Sequence, residues 1–351
     1  MVTRYWDARG STLCSIRAAV RDPLSKALGV EYRLVELIGA DGTGSAAPQA
    51  FRGATRFWRV NCHAAPLRLA CLPRAHAATK TDRERISVTS SESVDANEDA
   101  IVVTVSGHVA TVTINRPSVR NALDLDTALL LEAAIDEAEG NRDIRVIVLT
   151  GSGGTFSAGM DLKAFAASGE RPVTPGRGAF GIVGRPPRKP TIAAVEGHAF
   201  GGGFEIALAA DLIVAGENAT FGLPEVKRGL VAAAGGLLRL PTRVPRNVAL
   251  HVALTGEPIT AADGLRFGLV NSVVAEGFAL EGASDLAASI ARNAPLALRV
   301  SKEIIYRSAD WSTDEMFERQ STLTATVRES QDASEGARAF LEKRTPAWTG
   351  Q

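Results

Sequence analysis

Two glutamates in apolar surroundings are the residues of this chain whose type and spacing best suit chemistry. Glu205 is the only charged residue of the helix-like segment 204–210, which runs on from the triple glycine 201–203, and Glu225 follows Pro224 in a second, largely apolar segment. A carboxylate among apolar side chains is costly unless a partner satisfies it or the site uses it. Two such carboxylates facing one cavity, near backbone amides at a helix start, would form an acid/base site beside an oxyanion hole.

A glycine-containing loop, FSAGMD at 156–161, is the second feature that could serve such a site. It follows a buried-strand pattern at 146–149 and a turn-rich segment at 150–155, and its glycine allows a turn that aims amides into a cavity. No GK[ST] follows, so the loop is not a phosphate-binding P-loop. From its residues alone, an ordinary strand-to-helix turn is the simpler interpretation.

A family resemblance is carried by these segments together. GHAFGGGFE, followed by ADLIVA and FGLPEVKRGL, resembles the signature of the enoyl-CoA hydratase/isomerase (crotonase) family, and FSAGMD resembles its FxAGxD loop. The resemblance implies an α/β fold, a crotonase-like spiral of repeated ββα units with a C-terminal helical region. It implies a spiral core at 98–280 and a helical trimerisation region at 281–351, hence a homotrimer or a dimer of trimers.

The resemblance also assigns roles to individual residues. It implies that the amides of Met160 and Gly202 form the oxyanion hole, that Glu205 positions and deprotonates water, and that Glu225 protonates the α-carbon. The residues implied to line the path of the CoA moiety are Ser157, Ala158, Met160, Asp161, Leu162 and Gly202. CoA arrives as part of the substrate, so no separate cofactor and no metal are expected.

The expected reaction is the reversible addition of water across the 2,3-double bond of a 2-enoyl-CoA. The motif sequences resemble those of both enoyl-CoA hydratases and carnitinyl-CoA dehydratases. A simple 2-enoyl-CoA and crotonobetainyl-CoA therefore both stay open as substrates. A double-bond isomerase needs one acid/base carboxylate, and the two glutamates therefore favour hydration or dehydration. A different class of function also stays open, that of a non-catalytic acyl-CoA-binding or RNA-binding protein. A role in fatty acid β-oxidation is expected for a hydratase.

Composition narrows the classes of partner. The 351 residues are 45% hydrophobic and 22% charged, with 39 basic and 39 acidic residues, so no net charge attracts nucleic acid or an anionic membrane. No apolar run is long enough to span a bilayer. Cys14, Cys62 and Cys71 lack CxxC spacing, and the histidines lack HExxH spacing, which argues against a disulfide framework or a zinc site. A reducing cytoplasm is the simplest location.

Residues 1–97 differ from the rest of the chain. Residues 1–90 hold 14 basic and 7 acidic residues, and the polar tract 87–97 follows. We interpret residues 1–97 as a poorly ordered extension, part of which could lie upstream of the true start. The Gly-, Pro- and Arg-rich segment 169–190 also lacks a long regular element, and its Arg185, Arg188 and Lys189 could either approach CoA phosphates or belong to a solvated loop.

Periodicity predicts the elements that must position these residues. Alternation predicts a hairpin at 101–105 and 109–114, and a helix fits 125–139 with Asp124 as its N-cap. A strand at 191–195 precedes the helix at 202–210, and a helix at 261–267 has Thr260 as its N-cap. From about residue 280 onward the apolar period is helical. The alternation of strand, loop and helix supports an α/β architecture.

Overall fold

The computed structural model describes residues 99–351 and, nearer the start of the chain, three strands. These are β1 (Val2–Trp6), β2 (Thr12–Arg17) and β3 (Val35–Gly39), which pair antiparallel in the order β1-β2-β3. They belong to a unit of residues 1–90 that is separate from the unit of residues 91–351. The prediction of a poorly ordered extension concerns residues that mostly lie outside the described ranges, and it stays a prediction.

The second unit alternates strands and helices from residue 101. Its strands are β4 (Ile101–Ser106), β5 (Val109–Ile114), β6 (Val146–Gly151), β7 (Val173–Thr174), β8 (Gly178–Ala179), β9 (Thr191–Val195), β10 (His198–Phe200), β11 (Leu212–Gly216), β12 (Thr220–Gly222), β13 (Ile259–Thr260) and β14 (Ser272–Val274). Its α-helices are α1 (Leu125–Gly140), α2 (Leu162–Ser168), α3 (Gly202–Ala209), α4 (Gly236–Arg243), α5 (Arg246–Thr255), α6 (Ala261–Phe267), α7 (Ala279–Ala291), α8 (Pro295–Arg307), α9 (Met316–Arg328) and α10 (Gln331–Glu342). Short 3-10 helices lie at Pro117–Val119, Pro224–Arg228 and Ser308–Asp310.

A six-stranded sheet, ordered β14-β11-β9-β6-β5-β4, forms the first layer. The predicted hairpin β4–β5 is antiparallel, whereas β5, β6, β9, β11 and β14 pair parallel along the sheet. Parallel neighbours require crossover connections, which the helices between the strands supply. The central strands β6 and β9 are almost completely buried and read as continuous apolar runs, as expected of a sheet covered on both faces.

A smaller sheet, ordered β10-β12-β13, forms a second layer beside the first. Ser157 extends it by a parallel bridge to Ala199 of β10, and Leu123 makes another parallel bridge to Met160. The chain thus repeats one unit, which consists of a strand of the large sheet, an extended segment near the small sheet and a helix. This is the repeated ββα arrangement expected from the sequence, and it brings the starts of the helices α2 and α3 close to each other.

The core occupies both faces of the large sheet. On one face, side chains of β5, β6, β9 and β11 pack with those of α1, α3 and α4, and the cluster includes Leu131, Phe204 and Leu240. On the other face, α7 packs through a stripe of buried alanines at positions 279, 283, 287 and 291. Four-residue spacing places these small side chains on one helix face, so the helix backbone lies close to the sheet.

Most of the predicted elements are confirmed within a residue or two. Asp124 caps α1 by accepting a hydrogen bond from the Thr127 amide at 2.9 Å, and Thr260 caps α6 through the Asp263 amide. The helical period beyond residue 280 corresponds to α7–α10. The sequence did not predict α4 and α5, because α4 begins at the glycine pair 235–236 and contains Pro241. No helix among the described residues is long and apolar enough to cross a membrane.

Candidate active site

Paired strands of the small sheet bring the two glutamates together. α3 follows β10 and carries Glu205 in its first turn, and the 3-10 helix that follows β12 carries Glu225. Because β10 and β12 are parallel neighbours, both segments begin at the same edge of the sheet. Glu225 lies against the start of α3, since a Cβ built on Gly201 would be 3.2 Å from Glu225 Oε1. The predicted pair of carboxylates thus shares one site.

Glu205 is buried and held by the backbone of a neighbouring loop. Its side chain is 3% exposed, and Oε1 accepts hydrogen bonds from the amides of Ala234 at 2.7 Å and Gly236 at 2.9 Å. Burial raises the pKa of Glu205, the two amides oppose that rise, and the charge of Glu225 adds to it, so the pKa lies above its ordinary value. Both amides favour the ionised carboxylate and leave Oε2 free to bind water.

Glu225 is in a different environment. Its Oε2 is buried and has no hydrogen-bond partner among the described residues. Burial raises the pKa of Glu225 above its ordinary value, although its own backbone amide and the charge of Arg228 lower it. A carboxyl oxygen without a donor favours the protonated form more than one that accepts two amides. The two carboxyls therefore differ in their hydrogen bonding, as an acid/base pair with separate tasks requires.

The two predicted oxyanion amides lie on adjoining backbone segments. A Cβ on Gly159 would lie 2.6 Å from the nitrogen of Gly202, so the loop and the start of α3 are in direct contact. Gly159 has φ +86°, which favours glycine. The Leu123 amide donates to the Gly159 carbonyl, and the Leu123 carbonyl accepts from the Asp161 amide. The Met160 amide, which lies between these two bonds, therefore points away from Leu123. Neither the Met160 nor the Gly202 amide has an acceptor within the described residues, so both are available to a ligand oxygen.

Residues predicted to line the CoA path divide into two groups. Ser157 and Asp161 are buried and braced: the Ser157 hydroxyl donates to the Asn121 carbonyl at 2.7 Å and accepts from the Gly159 amide at 3.1 Å. Asp161 caps α2 by accepting from the amides of residues 163 and 164. Ala158 and Leu162 are exposed and remain accessible. Their proposed contacts with CoA stay predictions.

Two residues that sequence reasoning missed hold the oxyanion loop from the turn after β5. Asn121 is fully buried with φ +54° and donates to the carbonyls of Ser152 and Thr155, both at 2.8 Å. Arg116 pairs with Asp124 at 2.9 Å and with Asp161 at 3.4 Å. Asn121 follows Pro117 in a turn, and asparagine tolerates the left-handed conformation. That combination was the sequence signal from which the role of Asn121 could have been predicted.

The loop that clamps Glu205 was also missed. Residues 232–236, AAAGG, carry no polar side chain, yet the amides of Ala234 and Gly236 hold the carboxylate. A Cβ on Gly236 would lie 3.0 Å from Glu205 Cγ, so this position requires a small residue. Hydrogen bonds from backbone amides leave no residue-type signature, so they could not be predicted from the sequence.

The basic residues of the segment 169–190 serve the fold in different ways. Lys189 is buried and donates to the carbonyls of Ala138 at 2.7 Å and Asn141 at 2.6 Å, at the end of α1. Burial lowers the pKa of Lys189 to about 8, while Glu139 opposes that change. Lys189 is therefore neither solvated nor free to approach a phosphate. Arg185 and Arg188 are exposed and lie near the acidic side chains of α1.

The same segment forms a short hairpin, β7–β8, fixed by a buried arginine. The Arg177 guanidinium donates to Asp136 at 2.9 and 2.7 Å, to Glu139 at 2.5 Å and to the Arg185 carbonyl at 2.7 Å. Phe180 follows the hairpin with φ +56°, and its ring lies against Gly202. The hairpin thus places an aromatic ring beside one of the two predicted oxyanion amides.

Most of the chain is similar to known proteins. Residues 104–351 match the model of the enoyl-CoA hydratase/isomerase family. Carnitinyl-CoA dehydratase of Salmonella typhi is 41% identical over 261 residues, which cover 72% of this chain and 99% of that protein.

Solved structures give the same picture. Enoyl-CoA hydratase from Mycobacterium tuberculosis H37Rv is 49% identical, with a TM-score of 0.71, and the match covers 72% of this chain and 100% of that one. Carnitinyl-CoA hydratase from Mycobacterium avium is 43% identical, with a TM-score of 0.58, covering 73% and 100%. These likenesses confirm the fold class predicted from the sequence.

Proposed function

This chain belongs to the enoyl-CoA hydratase/isomerase family, and from that premise we propose that it adds water reversibly to a 2-enoyl-CoA, giving a 3-hydroxyacyl-CoA. The family predicted from the sequence is thereby confirmed, and the chain is a lyase of the hydratase type. One observation carries the choice of reaction. Two carboxyls of opposite hydrogen-bonding character, Glu205 and Glu225, lie beside two backbone amides that have no acceptor in the described part of the chain.

The amides act on the thioester oxygen. Attack of water at C3 moves electron density onto that oxygen, giving an enolate-like transition state. The amides of Met160 and Gly202, on adjoining segments, are suited to donate to it, and each donor would stabilise the charge by about 3 kcal/mol. Gly202 is the first residue of α3, so the positive end of the helix dipole adds to the effect.

The carboxyls move the two protons. Ionised Glu205 binds water through Oε2 and takes one proton as the oxygen bonds to C3, while protonated Glu225 gives its proton to C2. The product contains the elements of one water, and exchange of protons with solvent returns both carboxyls to their starting forms. Dehydration follows the reverse course. No cofactor or metal enters this scheme, because the CoA group is part of the substrate.

A second substrate is supported by the relatives named carnitinyl-CoA dehydratase. The same two carboxyls would hydrate crotonobetainyl-CoA, whose acyl group carries a fixed positive charge. The charges of Arg239 and Arg228 oppose the rise in the pKa of Glu205 and Glu225 respectively, so cations as well as carboxyls lie near the acyl position. We place the uncharged enoyl group first because the solved structure that is 49% identical is an enoyl-CoA hydratase, and this choice accords with a role in fatty acid β-oxidation in the cytoplasm.

Other reactions are less well supported. An isomerase needs one acid/base carboxylate, and the geometry supplies two. A non-catalytic acyl-CoA-binding or RNA-binding role gives no reason for Glu225 to have a buried oxygen without a donor, since such a group costs stability.

Assembly into a homotrimer or a dimer of trimers is part of the proposal. Several large apolar side chains of the helical region and of α4 and α5 are more than two-thirds exposed in the single chain: Leu238, Leu254, Ile305, Phe317, Phe340 and Leu341. Side chains of this kind are commonly covered by partner subunits. Light scattering coupled to size-exclusion chromatography tests the expectation, and a mass equal to one chain would contradict it.

Hydration removes the double bond that is conjugated with the thioester carbonyl, so the fall in the ultraviolet absorbance of the enoyl-CoA measures the reaction. The full chain is mixed with crotonyl-CoA and, separately, with crotonobetainyl-CoA. We expect crotonyl-CoA to be hydrated with the higher kcat/KM. Faster turnover of crotonobetainyl-CoA would favour the second substrate, and binding of both thioesters without turnover of either would contradict the enzymatic proposal.

A further inference from the structure

A large cavity lies next to the candidate site. It has a volume of about 1210 Å³ and is bounded by the residues that follow β8, by the loop that clamps Glu205, and by α4, α8 and α9. Its wall includes the apolar residues Val183, Leu238, Leu296, Val300 and Leu323, together with charged residues, mostly arginines, of α4 and α8. Ligand pockets for small molecules have volumes of roughly 300–1,000 Å³, so this cavity is large enough for an extended acyl chain.

Two segments of the chain belong both to the wall of the cavity and to the surroundings of the candidate site. Ala234 and Gly235 belong both to its wall and to the loop whose amides hold Glu205. Ala179 and Val183 also belong to the wall, and they lie before and after Phe180 in the chain. Glu205 and Phe180 themselves are not part of the wall. Phe180 therefore stands at the boundary between the cavity and the reacting groups.

The ring of Phe180 is pressed against the oxyanion position. A Cβ on Gly202 would lie 2.1 Å from Phe180 Cζ and 2.5 Å from Cε2, so the edge of the ring covers the Cα of Gly202. Phe180 is 6% exposed. A thioester oxygen bound to the Gly202 amide would bring the first carbons of the acyl chain next to this ring.

The backbone holds the ring in an unusual position. Phenylalanine with φ +56° is rare, because the left-handed conformation brings Cβ close to the carbonyl oxygen, and such residues persist where the surroundings impose them. Here the Phe180 amide donates to the Pro172 carbonyl at 2.6 Å, and Gly181 packs so tightly that an added Cβ would be 2.1 Å from the Ala128 carbonyl oxygen. The Arg177 ion pairs anchor the preceding hairpin to α1.

We propose that Phe180 is a specificity-determining residue that separates the thioester site from this cavity and so limits the enzyme to short enoyl groups. The inference rests on the proposed hydratase activity. A four-carbon enoyl chain needs only the space beside the ring, whereas a ten-carbon chain must pass the ring to reach the cavity beyond. Removing the ring should open that space to long chains.

Kinetics with two chain lengths test the proposal. The ratio of kcat/KM for trans-2-decenoyl-CoA to that for crotonyl-CoA is measured for the wild type, Phe180→Ala and Phe180→Leu. We expect Phe180→Ala to raise the ratio by at least about tenfold, since a few methylenes in an apolar pocket discriminate by that much or more. Phe180→Leu, which retains much of the volume, should give a smaller rise.

Ile192→Ala is the matched control, because Ile192 is fully buried in the cluster on the opposite face of the large sheet. It should lower stability without changing the ratio. A Phe180→Ala ratio equal to that of the wild type, or a wild type that already prefers decenoyl-CoA, would overturn the proposal. An equal rise in Ile192→Ala would also overturn it, since general loosening would then be the cause.

Binding separates this proposal from the proposed reaction. Dissociation constants for butanoyl-CoA and decanoyl-CoA, which cannot be hydrated, are measured by calorimetry with the same variants. If no enoyl-CoA is turned over but Phe180→Ala still shifts binding toward decanoyl-CoA, the reaction is wrong and the role of Phe180 stands. If crotonyl-CoA is hydrated but neither ratio shifts, the reaction stands and the role of Phe180 is wrong.

Discussion

Arg177 offers the sharpest test of how the segment beside the site is held. Its side chain is 0% exposed, and its guanidinium forms ion pairs with Asp136 and Glu139 of α1. Arg177→Met keeps a long, unbranched side chain and removes the charge. We expect the variant to lose a large part of the free energy of unfolding, because two carboxylates then lack their buried partner.

The magnitude follows from the exposure of the two acids. Removing one partner of a buried ion pair costs about 3–5 kcal/mol. Asp136 is 48% exposed and can be solvated by water, whereas Glu139 is 11% exposed and cannot. Most of the loss therefore comes from Glu139, and we expect about 3 kcal/mol. Arg188→Met is the control: Arg188 is 85% exposed and 3.5 Å from the same Glu139, so its loss should be at most about 1 kcal/mol.

The loss should depend on pH in a defined direction. Burial alone would raise the pKa of Glu139, but hydrogen bonds from Arg177 and from the Arg188 amide outweigh it and hold the pKa below its ordinary value of 4.5. A lowered carboxyl pKa contributes stability above the unfolded-state value, and that stability is lost as the pH falls through the folded-state value. The difference between the wild type and Arg177→Met should therefore be largest near neutral pH and shrink below pH 4.5.

Urea unfolding followed by far-ultraviolet circular dichroism measures these differences. The wild type and both variants are compared at pH 7 and at several values below 4.5, at one fixed protein concentration because assembly contributes to stability. Equal losses for Arg177→Met and Arg188→Met at pH 7 would show that the buried ion pair contributes no more than the exposed one. A loss for Arg177→Met that grows as the pH falls would refute the assignment to Glu139.

Three further predictions concern the site itself. Gly202→Ala places a Cβ in the Phe180 ring and should lower the free energy of unfolding by about 1–3 kcal/mol. Adding Phe180→Ala should restore part of that loss, because it removes the clash. Additive losses of the two substitutions in urea unfolding would contradict the contact. Because burial raises the pKa of both Glu205 and Glu225, the acid limb of kcat/KM against pH should lie above pH 4.5, and a limb at or below that value would be inconsistent with the site. The raised pKa of Glu225 makes its ionisation unfavourable in the folded state. Glu225→Gln should therefore have a higher melting temperature than the wild type at pH 8, and the difference should shrink below pH 4.5. A melting temperature of Glu225→Gln below that of the wild type at pH 8 would contradict this.

Local sequence patterns predicted the elements that carry the site. Asp124 before an apolar helical period gave the start of α1, and the buried-strand pattern at 191–195 gave β9 at its observed bounds. Glu205 and Glu225 were recognised because a charge in an apolar segment is unusual and because the surrounding motif resembles a known signature. Each of these signals is contained in one local stretch of the chain, which is why it could be found from the sequence.

Long-range contacts were not predictable in this way. The amides that hold Glu205 belong to a loop about thirty residues further along the chain, and Arg177 meets its acids about forty residues earlier. The sequence gives the residue types but not the pairing across such distances. Phe180 was not recognised either, because its importance comes from a backbone angle and from contact with Gly202.

Turnover of crotonyl-CoA by the wild type, Glu205→Gln and Glu225→Gln tests whether both carboxyls take part in the reaction. Each substitution keeps the shape of the side chain and removes its ability to exchange a proton, so we expect kcat to fall by about 10²-fold or more in each variant. Calorimetric binding of butanoyl-CoA should stay within severalfold of the wild type, which would show that the site is intact. A wild type that hydrates crotonyl-CoA while either variant retains its full kcat would contradict the two-carboxyl mechanism.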